Sequence, residues 1–167
     1  MIRVVVDDVA FVAADAIVRP ATASLEPTTP ALRRLEQVGG EPFWKQLNVQ
    51  HELAPGSAVV TGAGDLPSEF VIHVIISSPG EPVSTATVRR ALTSAIQRAT
   101  DWQLAHLVIP PLGTGAGNLS IEDAAAVMMA VLDETLGQAR FPTQVTLVVE
   151  TEEDKQVFES YVGRMSR

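Results

Sequence analysis

The chain contains no cysteine among its 167 residues. Disulfide staples, thiolate metal sites and cysteine nucleophiles are therefore excluded. Cations are also scarce: twelve Lys and Arg stand against twenty Asp and Glu, for a formal net charge of −8. The only adjacent basic pairs of note, Arg33-Arg34 and Arg89-Arg90, fall in segments that read as helices with solvated faces. Generic binding to a DNA or RNA backbone is thus not expected. A phosphate ligand would have to be held by backbone amides. No apolar run approaches the roughly 20 residues needed to cross a bilayer. The opening Met1-to-Asp8 segment is too short and too soon acidic for a signal peptide. The expectation is a cytoplasmic protein without a membrane partner. Several motifs are missing as well. No Gly-Lys-Ser/Thr closes a P-loop, and no Gly-x-Ser-x-Gly elbow is present. His51, His73 and His106 share no metal-ligand spacing. No metal, cofactor or catalytic residue is assigned, and His73, inside an apolar run, reads as a core histidine.

What is present is a rich interior and one informative loop. Hydrophobic residues are 46% of the chain, and its length suits one domain over residues 1–167 with a proper core. The segment Leu107-Val108-Ile109-Pro110-Pro111-Leu112-Gly113-Thr114-Gly115-Ala116-Gly117-Asn118-Leu119-Ser120 starts as a buried strand and continues as a loop with glycines at alternate positions. Ser120 is a good N-cap, and Ile121, Ala125, Met128, Leu132 and Leu136 then recur at helical spacing. A strand, a glycine loop and a helix N-terminus in that order can hold an anion. The same pattern also fits a tight connection whose glycines only make the turn.

Other elements follow from the same rules. Strands are expected over residues 2–6, 16–18, 56–62, 70–76, 105–109 and 143–149. Thr29 caps a helix with Pro30 at its first position, and Gly39-Gly40 stops it. A short helix over 41–47, a long one over 85–101 and a last one capped by Thr151 complete the pattern. Alternating strands and helices imply an α/β sheet covered on both faces. Ligands of such sheets sit beyond the carboxyl ends of the strands. The loops after Val6, Val18 and Ile109 would share that rim if their strands are parallel.

With the loops placed, the chain resembles the macro domain family of ADP-ribose-binding modules. Asp7-Asp8-Val9-Ala10 followed by Asp15-Ala16-Ile17-Val18 is similar to the family's Gly-Asp-Ile-Thr and Asp-Ala-Ile-Val opening. Gly56-Ser57-Ala58-Val59-Val60-Thr61, Leu66-Pro67 and Val71-Ile72-His73 resemble its middle segment, and Pro111-Leu112-Gly113-Thr114-Gly115-Ala116-Gly117 its phosphate loop. The resemblance implies a three-layer α/β/α sandwich with a mixed, largely parallel sheet. It also implies binding of ADP-ribose or a related nucleotide, free or carried on an ADP-ribosylated protein. By position, Asp8 would accept from the adenine amino group and the Val9 backbone would face adenine. Leu112, Gly113, Thr114, Gly115, Ala116, Gly117 and Asn118 would surround the diphosphate and distal ribose. Ala21 and Thr22 would lie at that ribose.

Departures from the family pattern bear on activity. Arg19-Pro20-Ala21-Thr22 replaces Asn-Ala-Ala-Asn, and Leu25-Glu26-Pro27-Thr28-Thr29-Pro30 replaces a glycine-rich wall. Threonine lacks the amide's paired donor and acceptor, and prolines donate nothing. No aromatic ring follows the last strand, where Val149-Glu150-Thr151 stands. Three functions remain open: ADP-ribose binding, hydrolysis of an ADP-ribose derivative, and a degenerate domain kept for protein contacts, its crevice partly closed by Arg19 and the prolines.

Overall fold

The computed structural model describes residues 1–47, 52–115 and 118–165. Ala116 and Gly117, both placed in the phosphate loop by resemblance, lie outside the described residues, as does His51.

Six strands form one sheet in the order β1-β6-β5-β2-β4-β3. They are β1 (Ile2–Val6), β2 (Ala14–Thr22), β3 (Ala58–Gly62), β4 (Ser68–Ser77), β5 (His106–Ile109) and β6 (Gln144–Val149). All neighbours pair in parallel except β3, which runs antiparallel to β4 at the edge. Four helices cover it: α1 (Pro30–Trp44), α2 (Thr85–Trp102), α3 (Ile121–Leu136) and α4 (Glu152–Val162). This is the three-layer α/β/α sandwich with a mixed, largely parallel sheet.

The two-residue period of the strands divides the core between the faces. Leu107, Ile109, Val145, Leu147 and Val149 pack with Val88, Leu92, Met128, Leu132 and Phe158 of α2, α3 and α4. Val108, Val148, Ile17 and Val71 point the other way, toward Leu32, Leu35 and Phe43 of α1. The expected caps form. Thr29, Ser120 and Thr151 accept from the backbone N–H groups of Leu32, Asp123 and Asp154. Gly40 interrupts α1 with φ 70° and ψ −170°, so the segment is two helical pieces joined at the expected stop.

One reading of the sequence needs correction. β2 does not end at Val18 but runs on to Thr22, because β4 pairs with it as far as Thr22 opposite Ser77. Pro20 is tolerated there: β5 pairs β2 only at Ala16 and Ile17, so a missing N–H in the later part breaks no ladder on that side. Asp15 lies inside β2. Its Oδ2 accepts from the backbone N–H groups of Ala105 and His106 and ties the start of β2 to that of β5.

Candidate functional site: a crevice at the carboxyl ends of the strands

β1, β6 and β5 are neighbours and parallel, so the segments after Val6, Val149 and Ile109 leave the sheet on one rim. A crevice of about 510 Å³ opens there. Asp7, Asp8 and Val9 line it from β1, Val148 and Glu150 from β6, and Pro110, Pro111, Thr114, Gly115, Leu119 and Ile121 from the β5 loop. Thr29, Ala31, Leu32 and Arg34 of the start of α1, with Asp154 of α4, complete the wall.

Asp8 has two engagements in this setting. Its Oδ1 accepts from the N–H of Ala10 at 3.0 Å and so caps the short 3-10 turn Val9–Phe11. Its Oδ2 faces Arg34, whose Nε lies 3.4 Å away. Each carboxylate oxygen has two lone pairs, so Asp8 retains acceptor capacity for a ligand amine.

The glycine loop is shaped from two sides. Gly113 has φ +82° and is buried, and a Cβ there would meet Val88 Cγ2 at 2.8 Å. It lets the loop press onto α2. Gly115 has φ +127°, and an added Cβ would stand 3.5 Å from the Thr28 carbonyl oxygen and 3.7 Å from Thr29 Cγ2. Here the loop approaches the entry to α1. Within the loop, Leu119 N–H donates to Gly113 O and Asn118 N–H to Gly115 O.

The crevice therefore brings together Asp8, Val9, Thr114 and Gly115 of the residues named from sequence. Gly113 and Leu112 lie behind the wall: Leu112 is fully buried, and its N–H points to Met128 Sδ at 3.3 Å. Asn118 is exposed in the same loop but is not part of the lining. Ala21 and Thr22 do not line it either. Ala21 is fully buried with Ala23, Leu25 and Ile75. Thr22 is consumed by its own loop. Its N–H donates to Glu26 O, its carbonyl accepts from Leu25 N–H, and its Oγ1 accepts from Glu26 N–H.

Arg19 explains that inward turn. It does not block the crevice: its side chain is fully buried on the α1 face of the sheet, opposite His73 in the β2–β4 register. Nη2 donates to Leu25 O at 2.7 Å and pairs with Glu36 Oε1 at 2.5 Å. Nη1 lies 3.2 Å from His73 Nδ1. A guanidinium can only donate, so Nδ1 is the acceptor and His73 carries its proton on Nε2. Nε2–H then donates to Thr61 Oγ1 at 2.8 Å, whose own hydroxyl donates to Gly62 O. Burial, and then the charge of Arg19, push His73 down to about 3. Burial likewise lowers Arg19, with the Glu36 carboxylate opposing it. His73 is a neutral core histidine stacked on Phe43.

Sequence reasoning missed the roles of Arg34, Glu150 and Asp154. From the sequence, Arg34 reads as a solvated helix residue, Glu150 only as the position where the family's ring is missing, and Asp154 as part of the first turn of the last helix. Four carboxylates and one guanidinium line the crevice, from Asp7, Asp8, Glu150, Asp154 and Arg34. Even so, among the described residues no three acidic or histidine side chains converge as a metal-binding set. The usable signal lay in the strand order, since residues just past the carboxyl ends of neighbouring parallel strands must meet.

Comparison with known proteins gives the family and the fold. The macro domain family model matches residues 20–128. A protein of Enterobacter sp. named O-acetyl-ADP-ribose deacetylase is 29% identical over 164 residues, covering 95% of this chain and 91% of that one. An uncharacterized protein of Mycobacterium tuberculosis is 27% identical over 125 residues, and the match covers 75% of this chain but only 35% of that longer protein. The solved macrodomain of Oceanobacillus iheyensis with ADP superposes with a TM-score of 0.86 at 20% identity, covering 96% of this chain and 89% of that one.

Proposed function

Because the chain belongs to the macro domain family, we propose that it binds ADP-ribose, or a related nucleotide containing ADP-ribose, in the crevice at the strand ends. The observation that carries this reading is that Asp8 and the Thr114–Gly115 turn face one cavity from different strands. A carboxylate suits an exocyclic amine, which only donates. A glycine loop with a helix start behind it suits a diphosphate through backbone donors, which an acidic chain requires. In this reading Asp8 and Val9 hold the base, and the glycine loop, through Thr114 and Gly115, holds the diphosphate. The ligand is free ADP-ribose or the same group carried on a protein. The Enterobacter relative's name points to the same ligand chemistry. We place the protein in the cytoplasm, supported by the lack of cysteine. No described helix is long and apolar enough to cross a membrane.

Calorimetric titration with ADP-ribose tests the proposal. Wild type binds, and Asp8→Ala weakens binding by about three- to tenfold, the worth of one net hydrogen bond. No measurable binding by wild type would remove the reading.

The name of the Enterobacter relative also favours a second reading, hydrolysis of an ADP-ribose derivative. Against it, no carboxylate of residues 21–28 lines the crevice, and Glu26 is exposed outside it. Hydrolysis needs a water held against the reacting carbon. Incubation with a mono-ADP-ribosylated protein therefore releases no ADP-ribose above the uncatalysed rate. Multiple turnovers lost in Glu26→Gln would establish the second reading instead.

A further inference from the structure

A planar base in this crevice needs cover on both faces to leave water. One wall is apolar: Val9, Leu32 and Val148 line it, all but fully buried. Among the described residues lining the crevice none is aromatic. The remaining flat group is the guanidinium of Arg34. It reaches from α1 over the acidic end of the crevice, with Nε 3.4 Å from Asp8 Oδ2 and Nη2 3.9 Å from Glu150 Oε1. Its side chain is 51% exposed. Both pairs are long and wet, which makes them weak. They steer the guanidinium to the base end without locking it, and a guanidinium stacks well on π-faces.

We infer that Arg34 is a specificity-determining residue that lays its guanidinium plane on the base of the bound nucleotide, opposite the apolar wall. The inference rests on the binding reading above and deepens it. It favours ligands with a stacking purine and an exocyclic amine, since the carboxylate of Asp8 sits beside the same plane.

Among the described lining residues Arg34 is also the one cation, set beside four carboxylates, so its charge must be separated from its plane. Arg34→Ala, Arg34→Lys and Arg34→Phe are titrated with ADP-ribose beside wild type, with thermal midpoints recorded for each. The alanine variant loses about tenfold in affinity. Lysine keeps the charge but not the plane and does not recover it. Phenylalanine keeps a plane without charge and recovers affinity to within about threefold. Recovery by lysine and not by phenylalanine would overturn the inference in favour of charge balance. Unchanged affinity in Arg34→Ala would overturn it while leaving ADP-ribose binding intact. Failure of wild type to bind would remove both.

Discussion

The loops after β2 and β5 leave the carboxyl ends of paired parallel strands, yet they direct their polar groups in opposite senses. The β5 loop turns outward. Gly113 packs it down on α2, Gly115 brings it to the start of α1, and Thr114 and Gly115 face the crevice. The β2 loop turns inward. Thr22 spends its N–H, its carbonyl and its Oγ1 on the loop itself, Ala21, Ala23 and Leu25 are buried, and Leu25 O is held from below by Arg19. Leu25 adopts φ +66°, which a non-glycine residue accepts only where its surroundings hold it. The lesson is that position on the sheet sets which loops can meet a ligand, while the hydrogen-bonding needs of one buried residue decide whether a loop has groups left to offer. An unpaired charge inside the protein is costly, so Arg19 draws Leu25 O and Glu36 to itself.

The largest test of that contrast is Arg19→Ala. It leaves Leu25 O and Glu36 without their partner and empties a buried volume. Removing one member of a buried pair costs about 3–5 kcal/mol, and urea denaturation should show a loss of that size. A loss under about 1 kcal/mol would mean that the apolar cluster alone holds the β2 loop, and the contrast would fail.

The β5 loop should respond less in stability and more in binding. Gly113→Ala combines a positive φ with a contact to Val88 that is too short, at a cost of about 2 kcal/mol. Gly115→Ala meets no such wall, so only its backbone strain counts, about 1 kcal/mol. Gly115→Ala nevertheless reduces ADP-ribose affinity, because Gly115 lines the crevice and its added methyl stands beside Thr29, which lines it too. Equal effects of the two variants on both unfolding and titration would erase the distinction between packing glycine and lining glycine.

The smallest effect belongs to His73. Its folded value near 3 lies well below the ordinary 6.5. Below pH 6.5 the unfolded chain takes up a proton that the folded chain refuses. Stability is therefore full above about 6.5 and declines as pH falls toward 3. The slope approaches about 1.4 kcal/mol per pH unit for one proton. Denaturation at pH 7.5 and 6.0 should differ by about 0.8 kcal/mol from this group, and His73→Gln should remove that share. A His73 share that instead grew on acidification would mean a protonated ring paired with Glu36, and the Arg19 network would have to be redrawn.

Much of the fold was legible in the chain because local rules set it. Apolar β-branched runs made the strands, and Thr29, Ser120 and Thr151 opened helices where their side chains could cap. Part of the site was legible for the same reason: a glycine loop after a strand and an acidic turn after the first strand are local patterns. The length of β2 was not, because the strand character of Arg19 to Thr22 comes from β4, more than fifty residues away in sequence. Nothing local marks Arg34 or Glu150 as crevice residues, and only the β1-β6-β5 order brings Arg34 between Asp8 and Glu150.

The sequence by itself determined the α/β class, the helix starts, the absence of thiol chemistry and the two local halves of the proposed nucleotide site, since each depends on neighbouring residues or on composition. Only the tertiary structure decided that Asp8 and Gly115 share one crevice, that Arg34 stands over its acidic end, and that Thr22 turns away from it. Those outcomes depend on strand order and on where a buried guanidinium finds its acceptors, and neither is encoded within any one stretch of the chain.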